Sequence, residues 1–189
     1  MENIRALRAG EIDLALVKSD TQAAALDGSG PFAEDGPFPE LRAVLSLYPE
    51  ALTVVARADS GVAAIGDLPG RRLSSGPQGS GQRETWDALA AALGWTQASF
   101  AETLELPATD QAAALCGDRI DAFAIAIGQP APTVQEAANG CDARILPVTG
   151  PEVEALVASA PWFAAAEIPG GIYRGSPATV PTFGVRATL

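Results

Sequence analysis

The stretch Ser74-Ser75-Gly76-Pro77-Gln78-Gly79-Ser80-Gly81-Gln82-Arg83 allows the chain few shapes. It follows a short apolar run and precedes Trp86, Leu89, Ala90 and Leu93, which repeat at i, i+3, i+4 and i+7 before Gly94. Such spacing predicts a strand that turns through glycines into an amphipathic helix. A turn of this kind leaves backbone N–H groups unpaired at the positive end of the helix dipole, where a phosphate or carboxylate can be held. As a structural element alone, the same turn would simply cap its helix.

Two phosphate readings fail on single residues. Gly76 to Gly81 has P-loop glycine spacing, yet Gln82-Arg83 stands where Lys and Ser/Thr are needed for the phosphates and magnesium. A dinucleotide fingerprint needs a third glycine where Glu84 stands, and that carboxylate would repel a pyrophosphate. A small carboxylate suits the turn better, gripped by the Ser80 hydroxyl and the N–H groups around Gly81 to Arg83.

Composition narrows the chemistry further. The formal net charge of −11, with only 12 Lys and Arg, argues against nucleic acid or an anionic membrane as partner. Apolar residues make up 48% of the 189 positions, enough for one large domain or two small lobes, and no run reaches the roughly 18 a membrane span needs. Histidine is absent. That removes Ser-His-Asp and Cys-His nucleophile systems and nearly all zinc-hydrolase sites, so an enzyme would need carboxylates, the single lysine Lys18 or a cofactor. The two cysteines, Cys116 and Cys141, are too few for a structural zinc. Their spacing fits a disulfide and two buried thiols equally well.

Along the chain, helices are expected at Glu2 to Arg8, Gln22 to Leu26, around Ala112 to Cys116, Pro132 to Ala138 and Pro151 to Ser159. Strands are expected at Ile12 to Val17, Leu41 to Leu47, Leu52 to Ala56, Arg72 to Ser75, Phe100 to Leu106, Ile120 to Ile127, Arg144 to Val148 and Thr182 to Leu189. Ser19-Asp20 has helix N-cap chemistry. Ala9-Gly10-Glu11-Ile12-Asp13-Leu14 is echoed by Cys116-Gly117-Asp118-Arg119-Ile120-Asp121-Ala122, either as a generic joint or as a sign of two lobes of like build. The alternation predicts an α/β fold with mostly parallel sheets, whose ligands sit beyond the carboxyl ends of the strands. Those ends are Ser19-Asp20, Tyr48-Pro49, the glycine-rich turn and Gly128-Gln129-Pro130. Asp20 could pair a ligand ammonium or only cap its helix. Tyr48 could wall a ligand or join the core, and Arg83 could reach a second carboxylate or stay in water. Trp86, Trp95 and Trp162 read as packing residues.

Four segments together resemble one family: Glu11-Ile12-Asp13-Leu14-Ala15-Leu16-Val17-Lys18-Ser19-Asp20, Leu47-Tyr48-Pro49-Glu50, Gly76 to Arg83, and Pro181-Thr182-Phe183-Gly184-Val185-Arg186-Ala187. That family is the TAXI group of solute-binding proteins of TRAP transporters. The resemblance implies a periplasmic, type II two-lobe binding protein, monomeric, without catalysis, cofactor or metal. It would capture a glutamate- or glutamine-like anion or a dicarboxylate and deliver it to membrane permease subunits. The ligand contacts it implies are Ser19 and Asp20 from lobe one and Tyr48 near the hinge. Lobe two would add Gly79, Ser80, Gly81, Gln82, Arg83, Gly128, Gln129 and Pro130. Gln82 stands where the family has Thr, which removes one hydroxyl. The resemblance also implies a Cys116–Cys141 disulfide. Partial lobe one would comprise 1–56 and 178–189, and lobe two 57–177, with the signal peptide and the family's further helices missing. A ligand-sensing effector domain of a regulatory protein is the other reading, since it shares the fold but needs no disulfide.

Overall fold

The computed structural model describes residues 1–189. Its elements in chain order are α1 (Glu2–Ala9), β1 (Val17–Lys18), α2 (Ser19–Asp27), β2 (Ser46–Arg57), β3 (Arg72–Ser74), α3 (Gly81–Ala92), β4 (Glu102–Leu104) and α4 (Ala108–Cys116). They continue with β5 (Ala122–Ile127), α5 (Pro132–Gly140), β6 (Ala143–Leu146), α6 (Pro151–Ser159), β7 (Ala164–Ile168) and β8 (Val180–Thr188). One sheet joins all the strands in the order β1-β8-β2-β5-β3-β4, with β6 also on β2 and β7 also on β8.

The period-two geometry of a strand sends alternate residues of β2 and β5 to opposite faces. Leu52, Val54, Ala56, Ala122, Ala124 and Ala126 pack on one face with Trp86, Leu89, Leu146 and Phe183. Ala51, Val55, Phe123 and Ile125 pack on the other with Leu115, Ile120, Val134 and Ala137. With both faces covered, these strands read as continuous apolar runs rather than as alternation. A third, small cluster of Ile4, Ala25, Phe32 and Leu41 binds α1 to α2 and the following loop.

The α/β reading holds, but the sheet is mixed rather than mostly parallel. Parallel pairing is confined to β3, which lies between β4 and β5. The long strand β2 pairs antiparallel with β5, β6 and β8, because it has to serve every neighbour that reaches the middle of the sheet. The strands expected at Leu41 to Leu47 and Leu52 to Ala56 are one strand, continuous through Tyr48-Pro49-Glu50 with an irregular register between Ser46 and Pro49. Pro49 is tolerated where the pairing slips, since it has no N–H to contribute.

The strand expected over Ile12 to Val17 shrinks to Val17–Lys18, whose partners are the last residues of β8. Leu14 and Leu16 are 61% and 51% exposed, so no second layer rewards extension there. The echoed motif therefore forms a strand only in its second copy. There Ile120 is buried, and Asp121 accepts from the backbone and guanidinium of Arg72. The alanine-rich β7 escaped notice in the sequence because alanine favours strands poorly.

Cys116, the last residue of α4, is bonded to Cys141, the residue after α5, across 25 positions. Closing a loop of that length in the unfolded chain contributes about 3 kcal/mol. Reduction should lower the urea-unfolding free energy by that order without changing the far-ultraviolet circular dichroism; equal stability with and without reductant would contradict it. At Gly184, β8 approaches β2 so closely that an added β-carbon would collide with the Glu50 carbonyl and lie 2.9 Å from Ala51 Cα. Gly184→Ala should therefore cost about 3 kcal/mol or more, by analogy with overpacking at the upper end of its range. A melting curve matching wild type would show that the two strands separate freely.

Candidate functional site

The glycine-rich turn is built by backbone conformations that other residues avoid. Gly76 and Gly79 have φ of 89° and 75°. Gly76 also leaves room for the Gln82 side chain, whose Cδ would lie 2.8 Å from an added β-carbon. Ser80 caps α3, its hydroxyl accepting from the Arg83 N–H at 3.2 Å and donating to the Pro77 carbonyl at 2.7 Å. The next helical N–H groups with partners are those of Arg83 and Glu84, both on the Ser80 carbonyl. Gly81 and Gln82, the first two residues of α3, keep N–H groups with no protein acceptor. Two donors at the positive end of a three-turn helix remain for an anion.

Lys18 reaches this point from β1. A β-carbon on Gly81 would lie 3.2 Å from Lys18 Cδ and 3.8 Å from Nζ. The ammonium is 2.9 Å from Glu50 Oε2 and donates to the Ala126 carbonyl at 2.8 Å. Two of its three protons are thereby used. Next along β2, the exposed Tyr48 ring lies against Gly128, 3.1 Å from where a β-carbon would stand. Lys18, Glu50, Tyr48, Gly81 and Gly128 thus share one neighbourhood. Beside Gly79 opens a hollow of about 450 Å³ lined by Met1, Glu2, Asn3, Arg5, Gln78 and Gly79. Lys18 and Glu50 were not among the expected contacts, although Lys18 is the only lysine and immediately precedes Ser19-Asp20. That uniqueness was the available signal.

Other expected contacts are engaged within the protein. Arg83 pairs with Asp87 and Glu105, at 2.7 and 3.4 Å. Gln82 donates to the Ala124 carbonyl. Gln129, before the cis bond to Pro130, donates to Thr53 and accepts from the Tyr173 hydroxyl. Ser19 and Asp20 lie in the first turn of α2, not at its N-cap, which is Lys18. Ser19 donates to the Trp162 carbonyl and accepts from the Arg186 N–H, both at 3.0 Å.

Asp20 faces the flank of α3, not its tip. Its carboxylate accepts from the Thr21 N–H and the Thr85 hydroxyl. Thr21 also bonds Glu84, whose Oε1 is buried without a partner. Burial pushes both carboxyls above their ordinary values, the Asp20 charge raises Glu84 further, and hydrogen bonds from Thr21 and Thr85 pull the other way.

The largest hollow, about 690 Å³, runs between α6, β7 and β8. Its charged lining is Glu154 and Glu167. No group of three or more His, Cys, Asp or Glu is placed to hold a metal.

Ser80→Ala should cost about 1 kcal/mol through loss of the cap. A thermal melt identical to wild type would deny the cap its role. Because Asp20 and Glu84 hold protons that the unfolded chain has already released, stability should fall as pH rises from the ordinary carboxylate range through their raised values. Glu84→Gln should flatten that slope; parallel urea midpoints for both proteins across the range would refute it.

Two solved structures that resemble this one are named as a binding protein and a binding domain. The periplasmic aliphatic sulphonate binding protein SsuA from Escherichia coli superposes with a TM-score of 0.56 at 21% identity, over 77% of this chain and 43% of its own. The effector binding domain of QuiR, in complex with shikimate, gives a TM-score of 0.52 at 16% identity, over 78% of this chain and 61% of its own. At these identities the likeness is one of fold, the periplasmic-binding-protein-like α/β arrangement. The chain spans less than two thirds of the length of either. The model of the NMT1-like family matches residues 1–189, and the chain belongs to that family.

Proposed function

We propose that this protein is an extracytoplasmic solute-binding protein that captures a small organic anion and hands it to a membrane transporter, without catalysis. The observation that carries the reading is the pair of unpaired N–H groups of Gly81 and Gln82 beside the Lys18 ammonium. These would hold the carboxylate, with Tyr48 walling the ligand against Gly128. Ser80, Gln82, Gln129 and Pro130 would act by shaping this surface, while Ser19 and Asp20 would hold α2 against the Trp162 segment and α3.

Within the NMT1-like family, the four motif segments favour the TAXI group and therefore permease subunits of the TRAP type as partners, with a periplasmic location. Amino acids related to glutamate and glutamine and the dicarboxylates are the ligand classes to test. On this reading residues 1–56 and 178–189 form part of one lobe and 57–177 the other. The protein would work as a monomer. The likeness to the QuiR domain supports a second reading, a ligand-sensing domain of a regulator. Mass measurement with and without reductant on natively produced protein separates the two, because a disulfide suits an oxidising compartment.

A thermal-shift panel of amino acids and dicarboxylates should show a rise in melting temperature by mass action for the true ligand class. Lys18→Met should then weaken that ligand roughly tenfold, through loss of a charge-assisted bond. Undiminished affinity in Lys18→Met would remove the turn from consideration as the site.

A further inference from the structure

Four strands of the sheet, β1, β4, β6 and β7, have one partner only, and β7 is the longest of them at five residues. It pairs with β8 in an unbroken antiparallel register, from Ala164 opposite Gly184 to Ile168 opposite Val180. In such a pair each residue sends its N–H and C=O to the same side. The Pro181 carbonyl accepts from the Val148 N–H, so Pro181 faces away from β7 and the ladder runs through Val180, Thr182 and Gly184. Their partners are Ile168, Ala166 and Ala164. Ala165 and Glu167 therefore turn their backbone groups outward, and none of the four is bonded elsewhere. Both residues are exposed. Free edges are usually blunted by a bulge, a proline or several charges. β7 has three alanines, an isoleucine and the single charge of Glu167.

Beside this edge opens the hollow of about 690 Å³ between α6, β7 and β8. Its apolar lining includes Val153 and Val157 of α6, Ala165 of β7, and Pro181 and Phe183 of β8, and its charged side chains are Glu154 and Glu167. By strand period, Ala165 and Glu167 share a face with their partners Phe183 and Pro181. A strand added at the β7 edge would turn every second side chain towards the hollow. Apolar ones would meet its valines, and one opposite Glu167 would meet a carboxylate. Free backbone groups with a pocket for alternate side chains are what recognition by strand addition uses.

Charge decides between occupants. A second copy pairing through the same edge would bring two sets of Glu154 and Glu167 together, in a protein of net charge −11. Like charges across a strand pair are destabilising, whereas a basic side chain there is attracted. We propose that the β7 edge and its hollow form a docking site for an extended segment of another protein, one that alternates apolar residues and places a lysine or arginine opposite Glu167. This site is separate from the turn before α3 and does not depend on what that turn binds.

Two capped peptides of alternating valine and threonine test it, one with a central lysine and the other with glutamate in that place. Added to isotope-labelled protein, the lysine peptide should shift the amide resonances of Ala165 and Glu167. It should bind roughly tenfold more tightly than the glutamate peptide, the difference between an attractive and a repulsive cross-strand pair. Glu167→Lys should reverse the preference. Ala165→Pro removes an N–H that no internal bond uses, and should abolish binding while leaving the circular dichroism unchanged. In wild type, equal affinities, shifts confined to other amides, or no binding of either peptide at millimolar concentration would each overturn the proposal, whatever the variants do. Dimers in sedimentation, with concentration-dependent shifts of the same two amides in the absence of peptide, would assign the edge to a second copy and overturn it as well.

Discussion

The close approach of β8 to β2 at Gly184 is the constraint on which the rest of the structure depends. Only a residue without a β-carbon lets the two backbones meet there, and β8 in turn carries β1 and β7. Once β8 is seated, Val17 and Lys18 pair with its end, and Lys18 is delivered to Glu50 on β2. The same seating leaves one edge of β2 shared, with β8 on its first half and β6 on its second. Backbone packing at one glycine thus sets the position of the only lysine.

Hydrogen-bond accounting then shows where function can reside. Most buried polar groups find partners, as they must. The Tyr173 hydroxyl, Gln129 and Thr53 bond in sequence and secure the cis bond at Pro130 within the fold. At the opposite end, Arg57 and Arg72 tie together Asp118 and Asp121 and fasten the start of β3 to β5. Arg72 holds the carboxyl of Asp121 below the usual carboxylate range. The first two N–H groups of α3, like those that open α4, α5 and α6, have no protein acceptor. At α3 the Ser80-capped tip lies beside the Lys18 ammonium, which is bonded to Glu50 and the Ala126 carbonyl.

Apolar side chains near the chain's ends tell a related story. Leu14 and Leu16 stay exposed because β1, which they precede, has a partner on one side only. Extended backbone without a second layer gains too little burial to offset its lost entropy. The sheet is well covered where α3 to α6 lie and thin where Ile12 to Val17 runs.

The strand–turn–helix unit from Arg72 to Ala92 was legible in the sequence because its causes are local: glycine conformations, a serine cap and a 3.6-residue apolar period. The apolar run of β5 and the helix limits Pro151 and Ser159 were legible for the same kind of reason. The cysteine spacing alone left the bridge undecided, and only family resemblance pointed to it. What the tertiary structure decided was everything that depends on long-range register. It fused two expected strands through Pro49, set β2 antiparallel to its neighbours and reduced Ile12 to Val17 to a two-residue strand. It also turned Arg83, Gln82 and Gln129 into supports and brought Lys18 to the turn. A residue's type determines which bonds it can make, whereas its partner is chosen by where a distant strand comes to rest.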